Sequence, residues 1–314
     1  MFRYVLKRLG AGILTIYFLA TATFVLMRSV PGDPLARGKA LRPEIRENLE
    51  RKYGLDQPVF VQYGVYLGNM LRGDFGISFT QQNRTVNEII RKHFPISATL
   101  GLFSLFFATL GGILFGAAAA RSRGRIGDGA LMLFVILGIS VPSFVFAALA
   151  QWGLTELNVW AGYTVIPVAG WGTVRHMLLP ALVLGLGTMA FLSRLMRSSL
   201  LEVIHQDYVR TAAAKGLPPE RIFLSHQLRN AILPVVTVLG PAIAAITTGG
   251  FVVEQVFAIP GLGRYFVQAV QQLDYSMIMG LTVFYGAFLV LMVLVVDLVY
   301  GLVDPRISVT GSRA

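Results

Sequence analysis

Long apolar runs without a charged side chain dominate the hydropathy pattern of this chain. Six of them approach or exceed the roughly 20 residues that an α-helix needs to cross a bilayer. The six runs are Leu9–Met27, Phe94–Ala120, Gly129–Thr155, Met177–Ser193, Asn230–Val253 and Tyr275–Val296. The fourth is the shortest, but Arg194 and Arg197 can extend from its end to the headgroup region. The pattern therefore predicts an all-α integral membrane protein with six transmembrane helices.

Composition agrees with this prediction. Of the 314 residues, 55% are hydrophobic and only 14% are charged, whereas soluble domains carry about 25% charged residues. The net charge of +11 is accordingly interpreted as the basic excess that orients a membrane protein, and no nucleic-acid partner is expected. The chain has no cysteine, which excludes disulfides, thiolate nucleophiles and cysteine-based metal sites.

The short loops predict the orientation of the spans. Cations are concentrated in loops 121–125 and 194–229, while loops 156–176 and 254–274 carry one cation each. Because short cytoplasmic loops are enriched in Lys and Arg, both termini are predicted to lie in the cytoplasm (N-in/C-in). The loop at 28–93 is also basic, but long loops are translocated largely regardless of their charge.

This orientation divides the chain into four parts. They are the cytoplasmic N-terminus with the first span (1–27), an extracytoplasmic loop or cap (28–93), a five-helix transmembrane core (94–306) and a cytoplasmic tail (307–314). Within the cap, an amphipathic pattern predicts a helix over Pro43–Tyr53. A second, aromatic-rich pattern predicts a helix over Val59–Leu71 that is closed by Gly73.

No catalytic or metal-binding pattern is found. The four histidines are scattered, G-x-S-x-G is absent, and the single Gly38-Lys39 pair has Asp33 and Ala40 where a P-loop needs glycine and Ser or Thr. We therefore predict no catalytic residue, no metal ligand and no cofactor in this chain. A membrane hydrolase is disfavoured because no nucleophile and base share a useful spacing.

A secondary carrier that works alone is the remaining alternative of another class. Such carriers bind their driving ion at ionisable groups in the bilayer, and the six apolar runs contain none. They also commonly show inverted repeats, which this sequence lacks. The pattern favours a conduit that is driven by another polypeptide.

The loop at 194–229 carries the strongest local signals, and we call it the elbow. Ser198–Lys215 is predicted as one helix that ends at Gly216. Pro218-Pro219-Glu220 then begins a second helix that leads into the fifth span at Asn230. Thr211-Ala-Ala-Ala214 offers only small side chains, so another protein could approach closely. Two interpretations stay open from these residues alone: a simple surface loop, or a docking elbow that passes motion to the fifth span.

The same residues resemble the coupling loop of ABC-importer permeases, in the form of the oligopeptide/dipeptide/nickel branch. The resemblance lies in Tyr208-Val-Arg-Thr-Ala-Ala-Ala-Lys-Gly216 and Leu228-Arg-Asn-Ala-Ile-Leu-Pro234. Further matches are Pro31-Gly-Asp-Pro34, Tyr53-Gly-Leu-Asp56, Gly73-Asp-Phe-Gly-Ile-Ser78, Ser140-Val-Pro-Ser143, Phe257-Ala-Ile-Pro-Gly-Leu-Gly-Arg264 and residues 297–306. The sequences of these motifs are most similar to those of B-type subunits of oligopeptide permeases. The glutamate of the general coupling signature is absent, which is typical of the peptide branch.

This resemblance implies a type I importer permease fold in a prokaryotic plasma membrane, and no catalysis in this chain. It implies a second homologous permease subunit, two ABC ATPase subunits that bind ATP and Mg²⁺, and an extracytoplasmic solute-binding protein. The implied cargo is a peptide, with dipeptide, glutathione or nickel-chelate as alternatives. The implied coupling helix is Asp207–Gly216. Its site residues are Asp207, Arg210, Thr211, Ala212, Ala213, Ala214, Lys215, Gly216 and Leu217.

Small residues in the second and fifth spans leave two interpretations open, packing within the chain or a position at the path or subunit interface. Gly112 and Gly116 belong to this class. The candidate pathway or interface residues are Thr247, Thr248, Gly249, Gly250 and Glu254. Pro142 and Pro241 are predicted to kink the third and fifth spans. Glu254 and Asp274, at the outer ends of spans, are expected to anchor an interface, with recognition of a peptide's amino terminus as the alternative.

Overall fold

The computed structural model describes residues 2–31, 47, 50–51, 54–81, 84–247 and 250–303. Apart from one isolated bridge between Ile77 and Thr85, the regular elements of this described part are helical. They are α1 (Phe2–Ser29), α2 (Val59–Leu71), α3 (Val86–Arg121), α4 (Ile126–Ser140), α5 (Ser143–Ala161), α6 (Val174–Ile204), α7 (Asp207–Ala214), α8 (Pro219–Ile222), a π-helical turn (Phe223–Leu228), α9 (Arg229–Ala231), α10 (Leu233–Thr247), α11 (Phe251–Val256), α12 (Leu262–Gln271) and α13 (Tyr275–Val303). The all-α prediction is confirmed.

Four of the described helices are long and apolar enough to cross a membrane by themselves. They lie in α1 (Leu6–Ser29), α3, α6 and α13 (Tyr275–Val296). Two further stretches pass the same test of length and composition only when the two halves of a bent pair are taken together. The pairs are α4 with α5, and Pro219–Ala231 with Leu233–Ile243, and counting each as one span gives up to six spans.

The third apolar run is not one straight helix. Between α4 and α5 the chain bends by 110°, and Val141 and Pro142 at the break have extended backbones with ψ of 127° and 140°. A proline disfavours the helical conformation of the residue before it, so Val141 leaves the helix. The predicted kink at Pro142 is confirmed, and the run Gly129–Thr155 counts as one span only if α4 and α5 are taken together across this break.

The fifth run bends at a different proline from the predicted one. Helix α10 continues through Pro241, while the chain turns by 44° at Ile232, between α9 and α10. Pro234 explains this position, because its ring crowds the carbonyl group of Asn230 and it has no amide hydrogen to donate. The main bend therefore lies at the third residue of the predicted span.

The chain divides into two compact units, Met1–Ile96 with Gly261–Ala314, and Ser97–Pro260. In the first, α1 packs against α13 through glycines. A Cβ atom at Gly12 would lie 2.5 Å from a methyl group of Val290, and a Cβ at Gly286 would be closer still to Leu19. Glycine at these positions leaves room for the side chains of the facing helix, so the two helices pack closely.

The predicted cap contributes α2 to this first unit. Its bounds, Val59–Leu71, confirm the predicted helix, and Gly73 follows in the left-handed conformation (φ 73°). The other predicted helix, Pro43–Tyr53, falls largely outside the described residues. Asp274 is fully buried and accepts hydrogen bonds from the Ser78 hydroxyl and from the amide and hydroxyl of Thr80. Its carboxylate therefore holds the chain's own loop and does not reach the surface.

The second unit is built around α6. A Cβ atom at Gly112 would lie 2.6 Å from the Cβ of Leu192, and one at Gly116 would lie 2.5 Å from the carbonyl oxygen of Ser193. These two glycines therefore serve packing within the chain. The adjoining core, which we call the stem cluster, consists of Ala117, Ala120, Leu192, Met196, Leu200, Ala231 and Val235.

Candidate functional site

The elbow contains a turn that the sequence did not predict. Helix α6 ends at Ile204, Gln206 is extended (φ −73°, ψ 148°), and α7 starts at Asp207. The prediction of one continuous helix over Ser198–Lys215 is therefore wrong. The turn changes the direction of the chain so that Val209 and Ala212 become buried against Ile222, and it places the acidic Asp207 at the positive end of a new helix.

These three residues form a small core inside the elbow, which we call the elbow core. Val209, Ala212 and Ile222 are less than a tenth exposed, and Val203 and Leu217 pack against them. Ala212 therefore faces inward. The small side chain of this predicted site residue sets the spacing between α7 and α8. It offers no surface for direct contact with a partner.

The end of α7 is a Schellman motif, in which a residue in the left-handed conformation closes the helix. The amide of Gly216 donates to the carbonyl of Ala213 (2.9 Å), and the amide of Leu217 donates to the carbonyl of Ala212 (3.4 Å). Gly216 has φ of 74°, a value that costs a glycine nothing. The prediction that Gly216 ends this helix is confirmed.

The opposite face of α7 is exposed to solvent. It carries Asp207, Arg210, Thr211, Ala213, Ala214 and Lys215. Asp207 and Arg210 form a 3.6 Å ion pair in which both side chains are largely exposed, and such surface pairs contribute little stability. These charges therefore remain available to a partner. Tyr208, which the sequence reasoning did not select, is 42% exposed beside them.

We call residues Pro219–Ala231 the downstream arm of the elbow. Pro219 occupies the first turn of α8, as predicted, and the arm continues through the π-helical turn and α9 to the bend at Ile232. No extended segment separates the described helices between Pro219 and α10. The arm is thus a continuous helical connection from the elbow core to the fifth apolar run.

Two contacts of arginine side chains beside the elbow were missed by the sequence reasoning. Arg197, interpreted as a cation at the end of a span, donates from Nε and a terminal nitrogen to the two carboxylate oxygens of Asp128, at 2.8 and 2.7 Å. The guanidinium carbon of Arg121 lies 4.6 Å from the centroid of the Phe223 ring. Both contacts join residues far apart in sequence, so no local pattern indicates them.

The candidate pathway residues lie in a different part of this unit. The side chain of Thr247 and all of Thr248 and Gly249 fall outside the described residues. A Cβ atom at Gly250 would lie 2.5 Å from a methyl group of Leu184, so this glycine packs against α6. Glu254 is fully buried, and its amide donates to the carbonyl of Gly250 (2.8 Å).

Helix α11 also ends in a Schellman motif, but with alanine in the left-handed position. Ala258 has φ of 53°; its amide donates to Gln255, and the amide of Ile259 donates to Glu254. The carbonyl of Phe257 accepts a hydrogen bond from the amide of Gly170 (2.8 Å). We call residues 251–260 the α11 turn. In the part of the chain that the structure describes, no group of three or more His, Cys, Asp or Glu side chains could hold a metal ion.

Comparison with known proteins gives two family matches and a set of full-length relatives. Residues 112–309 match the model of the binding-protein-dependent transport system inner membrane component, and residues 1–101 match its N-terminal companion. The dipeptide transport system permease protein DppB of Bacillus subtilis (strain 168) is 44% identical over 98% of both chains. The oligopeptide transport system permease protein OppB of Haemophilus influenzae is 40% identical over 98% of this chain and 99% of that one.

The oligopeptide transport system permease protein OppB of Escherichia coli (strain K12) is 38% identical over 98% of this chain and 99% of its own length. Among solved structures, an inward-facing conformation of the MetNI methionine ABC transporter shares 18% identity, with a TM-score of 0.49. That comparison covers 71% of this chain and 96% of that chain.

Proposed function

Since the chain belongs to the family of binding-protein-dependent transport system inner membrane components, we propose that it is the permease subunit of an ATP-driven ABC importer for peptides. It is a multi-pass protein of the plasma membrane. Peptide is the proposed cargo because relatives named for dipeptide and for oligopeptide transport, at 44% and 40% identity, both match nearly the whole chain. Glutathione and nickel-chelate remain the alternatives for the same kind of permease.

The proposed complex contains a second homologous permease, two ABC ATPase subunits and an extracytoplasmic solute-binding protein. This chain carries no P-loop, so ATP and Mg²⁺ would bind to the ATPase partners and this subunit would be non-catalytic. The distribution of cations among the short loops supports the N-in/C-in orientation, which brings the elbow to the cytoplasmic side with the ATPases.

The observation that carries the proposal is the construction of the elbow. Helix α7 keeps an inner face on its own core and leaves an outer face of small and charged side chains exposed. In the proposal this outer face enters a surface groove of an ATPase subunit. Ala213 and Ala214 permit close approach, Arg210, Thr211 and Lys215 make polar contacts, and Asp207 begins the helix. Ala212, Gly216 and Leu217 hold its shape.

Alternating access follows from this arrangement. ATP binding closes the ATPase pair and moves the two docked elbows toward each other, and hydrolysis then resets them. Because the downstream arm is helical from Pro219 to Ala231, it offers a continuous path along which a displacement of α7 can reach α10. We place the outer part of the path beside Thr247, Thr248, Gly249, Gly250 and Glu254, which lie at and beyond the end of α10.

Substitution of Ala213 by tryptophan tests the docking role. We expect Ala213→Trp to remove the ATPase subunits from a pull-down of the tagged chain and to abolish ATP-driven peptide uptake, because the indole blocks the groove. Ala130→Trp makes the same change at an exposed position of α4 and is expected to be neutral. Unchanged uptake with Ala213→Trp, at equal membrane insertion, would refute the docking role.

The cargo and the energy source are tested in proteoliposomes that contain the complete complex. We expect uptake of labelled di- or oligopeptides that requires ATP and the binding protein, and no such uptake of glutathione or a nickel-chelate. Peptide uptake by this chain alone, driven by an ion gradient without ATP, would instead identify a secondary carrier.

A further inference from the structure

Arg121 and Phe223 make a contact to which neither the family match nor the relatives' names assign a role. Arg121 is the last residue of α3, and its guanidinium carbon lies 4.6 Å from the centroid of the Phe223 ring. This distance is well within the range of an attractive cation–π interaction. Phe223 is the first residue of the π-helical turn, so the contact joins the end of α3 to the downstream arm.

Phe223 stands between the two hydrophobic cores of this region. The residue before it, Ile222, belongs to the elbow core, while the Phe223 ring packs against the stem cluster. That cluster contains Ala117 and Ala120 from the last turns of α3. A movement of the elbow core therefore acts directly on the residue that Arg121 contacts.

The π-helical turn interrupts the α-helical hydrogen-bond pattern of the arm. A π-helix places an extra residue in each turn, is rare, and occurs frequently at functional sites. Its six residues Phe223–Leu228 include no fully buried side chain, whereas Ile222 before it and Ala231 after it are buried. Without an external contact, a push on α7 could be absorbed here as a change of helical register.

The loop that follows Arg121 is anchored by an ion pair. The Asp128 carboxylate binds Arg197 of α6 with two hydrogen bonds and also accepts one from the amide of Gly124 (3.2 Å). Asp128 and Arg197 are 10% and 25% exposed, so water screens this pair only in part. The loop after Arg121 is thereby tied to α6.

We propose that Arg121 is a positioning residue for energy coupling, which holds the π-helical turn in register through the Phe223 ring so that the displacement of α7 reaches α10. This inference rests on the proposed docking of α7 to an ATPase. Loss of the contact should leave the complex assembled and hydrolysing ATP, while fewer peptides are moved for each ATP consumed.

The test measures peptide transported per ATP hydrolysed by the complete complex in proteoliposomes. We expect Arg121→Gln to lower this ratio about two- to fivefold, the factor that corresponds to an exposed cation–π interaction. Arg121→Lys keeps the cation and should retain most of the ratio. Phe223→Leu keeps an apolar side chain without the ring and should match Arg121→Gln, and combining the two should cause no further loss.

Arg125→Gln removes another exposed cation of the same loop and serves as the control. A purely structural role of Arg121 would lower transport and ATP hydrolysis together, with the ratio unchanged, and would overturn the inference. Independent, additive effects of Arg121→Gln and Phe223→Leu would overturn it as well. If Ala213→Trp leaves uptake intact, the docking proposal fails. If Ala213→Trp abolishes uptake but Arg121→Gln leaves the ratio of peptide transported to ATP hydrolysed unchanged, only this inference fails.

Discussion

The elbow and the α11 turn close a helix in the same way but hold it differently. In both, the amides of the left-handed residue and of the residue after it donate back to carbonyls of the last helical turn. Gly216 adopts the left-handed conformation freely in the elbow, with nothing within 4 Å of a would-be Cβ. Ala258 adopts it in the α11 turn at a cost of about 1–2 kcal/mol. A strained residue persists only where its surroundings determine the conformation.

The surroundings of Ala258 provide that support. Phe257 and Ile259 on either side are almost completely buried, and Gln151 donates from its side chain to the carbonyl of Val256 (3.1 Å). The elbow core, in contrast, consists of three small or medium-sized residues. The comparison indicates that the α11 turn is a fixed part of its unit, while the elbow is a lightly held element whose shape depends mainly on backbone preference.

The largest expected effect on stability is that of Phe257→Ala in the α11 turn. Removal of this buried ring leaves a cavity beside the strained Ala258 and should lower the free energy of unfolding by about 3–5 kcal/mol. Thermal unfolding of the purified chain in detergent measures the change. Val209→Ala in the elbow core is the matched comparison, and it should cost distinctly less. Equal losses for the two variants would contradict the proposed difference between a fixed and a lightly held region.

Gly216→Val should have a smaller effect on stability but a large one on transport. A β-branched residue is strongly disfavoured at a φ of 74°, so the end of α7 should rearrange and its exposed face should be misplaced. We expect peptide uptake and peptide-stimulated ATP hydrolysis to fall by about tenfold, with insertion of the chain preserved.

Gly216→Asn provides the control, because asparagine tolerates the left-handed conformation better than other non-glycine residues. Since no atom lies within 4 Å of the added Cβ, neither variant creates a clash at that atom, and a difference between them isolates the backbone effect. Similar transport by the valine variant and the wild type would mean that the conformation of this turn is unimportant for docking.

Local sequence signals account for the parts of the fold that were predicted correctly. The ends of α2 and α7 at Gly73 and Gly216, the start of α8 at Pro219 and the break at Pro142 each depend on one or two neighbouring residues. The break before Asp207 has no such signal. It follows from the packing of Val209 and Ala212 on Ile222. Because Ile222 lies outside α7, the sequence of α7 alone does not indicate this break.

The same limit applies to the electrostatic contacts. Asp128 and Arg197 are 69 positions apart in the sequence, and the charge pattern indicated only that both lie near the ends of apolar runs. The main bend of the fifth run was assigned to Pro241 although Pro234 lies seven residues earlier in the same run. Both prolines break the helical hydrogen-bond pattern, so sequence alone does not rank them, and packing decides which one bends the chain.

Ala258→Gly is expected to have the smallest effect and gives the most direct test of the strain in the α11 turn. Glycine relieves the left-handed strain but adds freedom to the unfolded chain, so the two terms partly cancel and a net stabilisation of about 0.5–1 kcal/mol is expected. Thermal unfolding in detergent detects such a gain when it is compared with Ala213→Gly, which places glycine inside α7 and should destabilise the chain. A loss of stability with Ala258→Gly would show that the neighbours of Ala258 do not hold it in a strained conformation, and would remove the basis for regarding the α11 turn as the more rigid region.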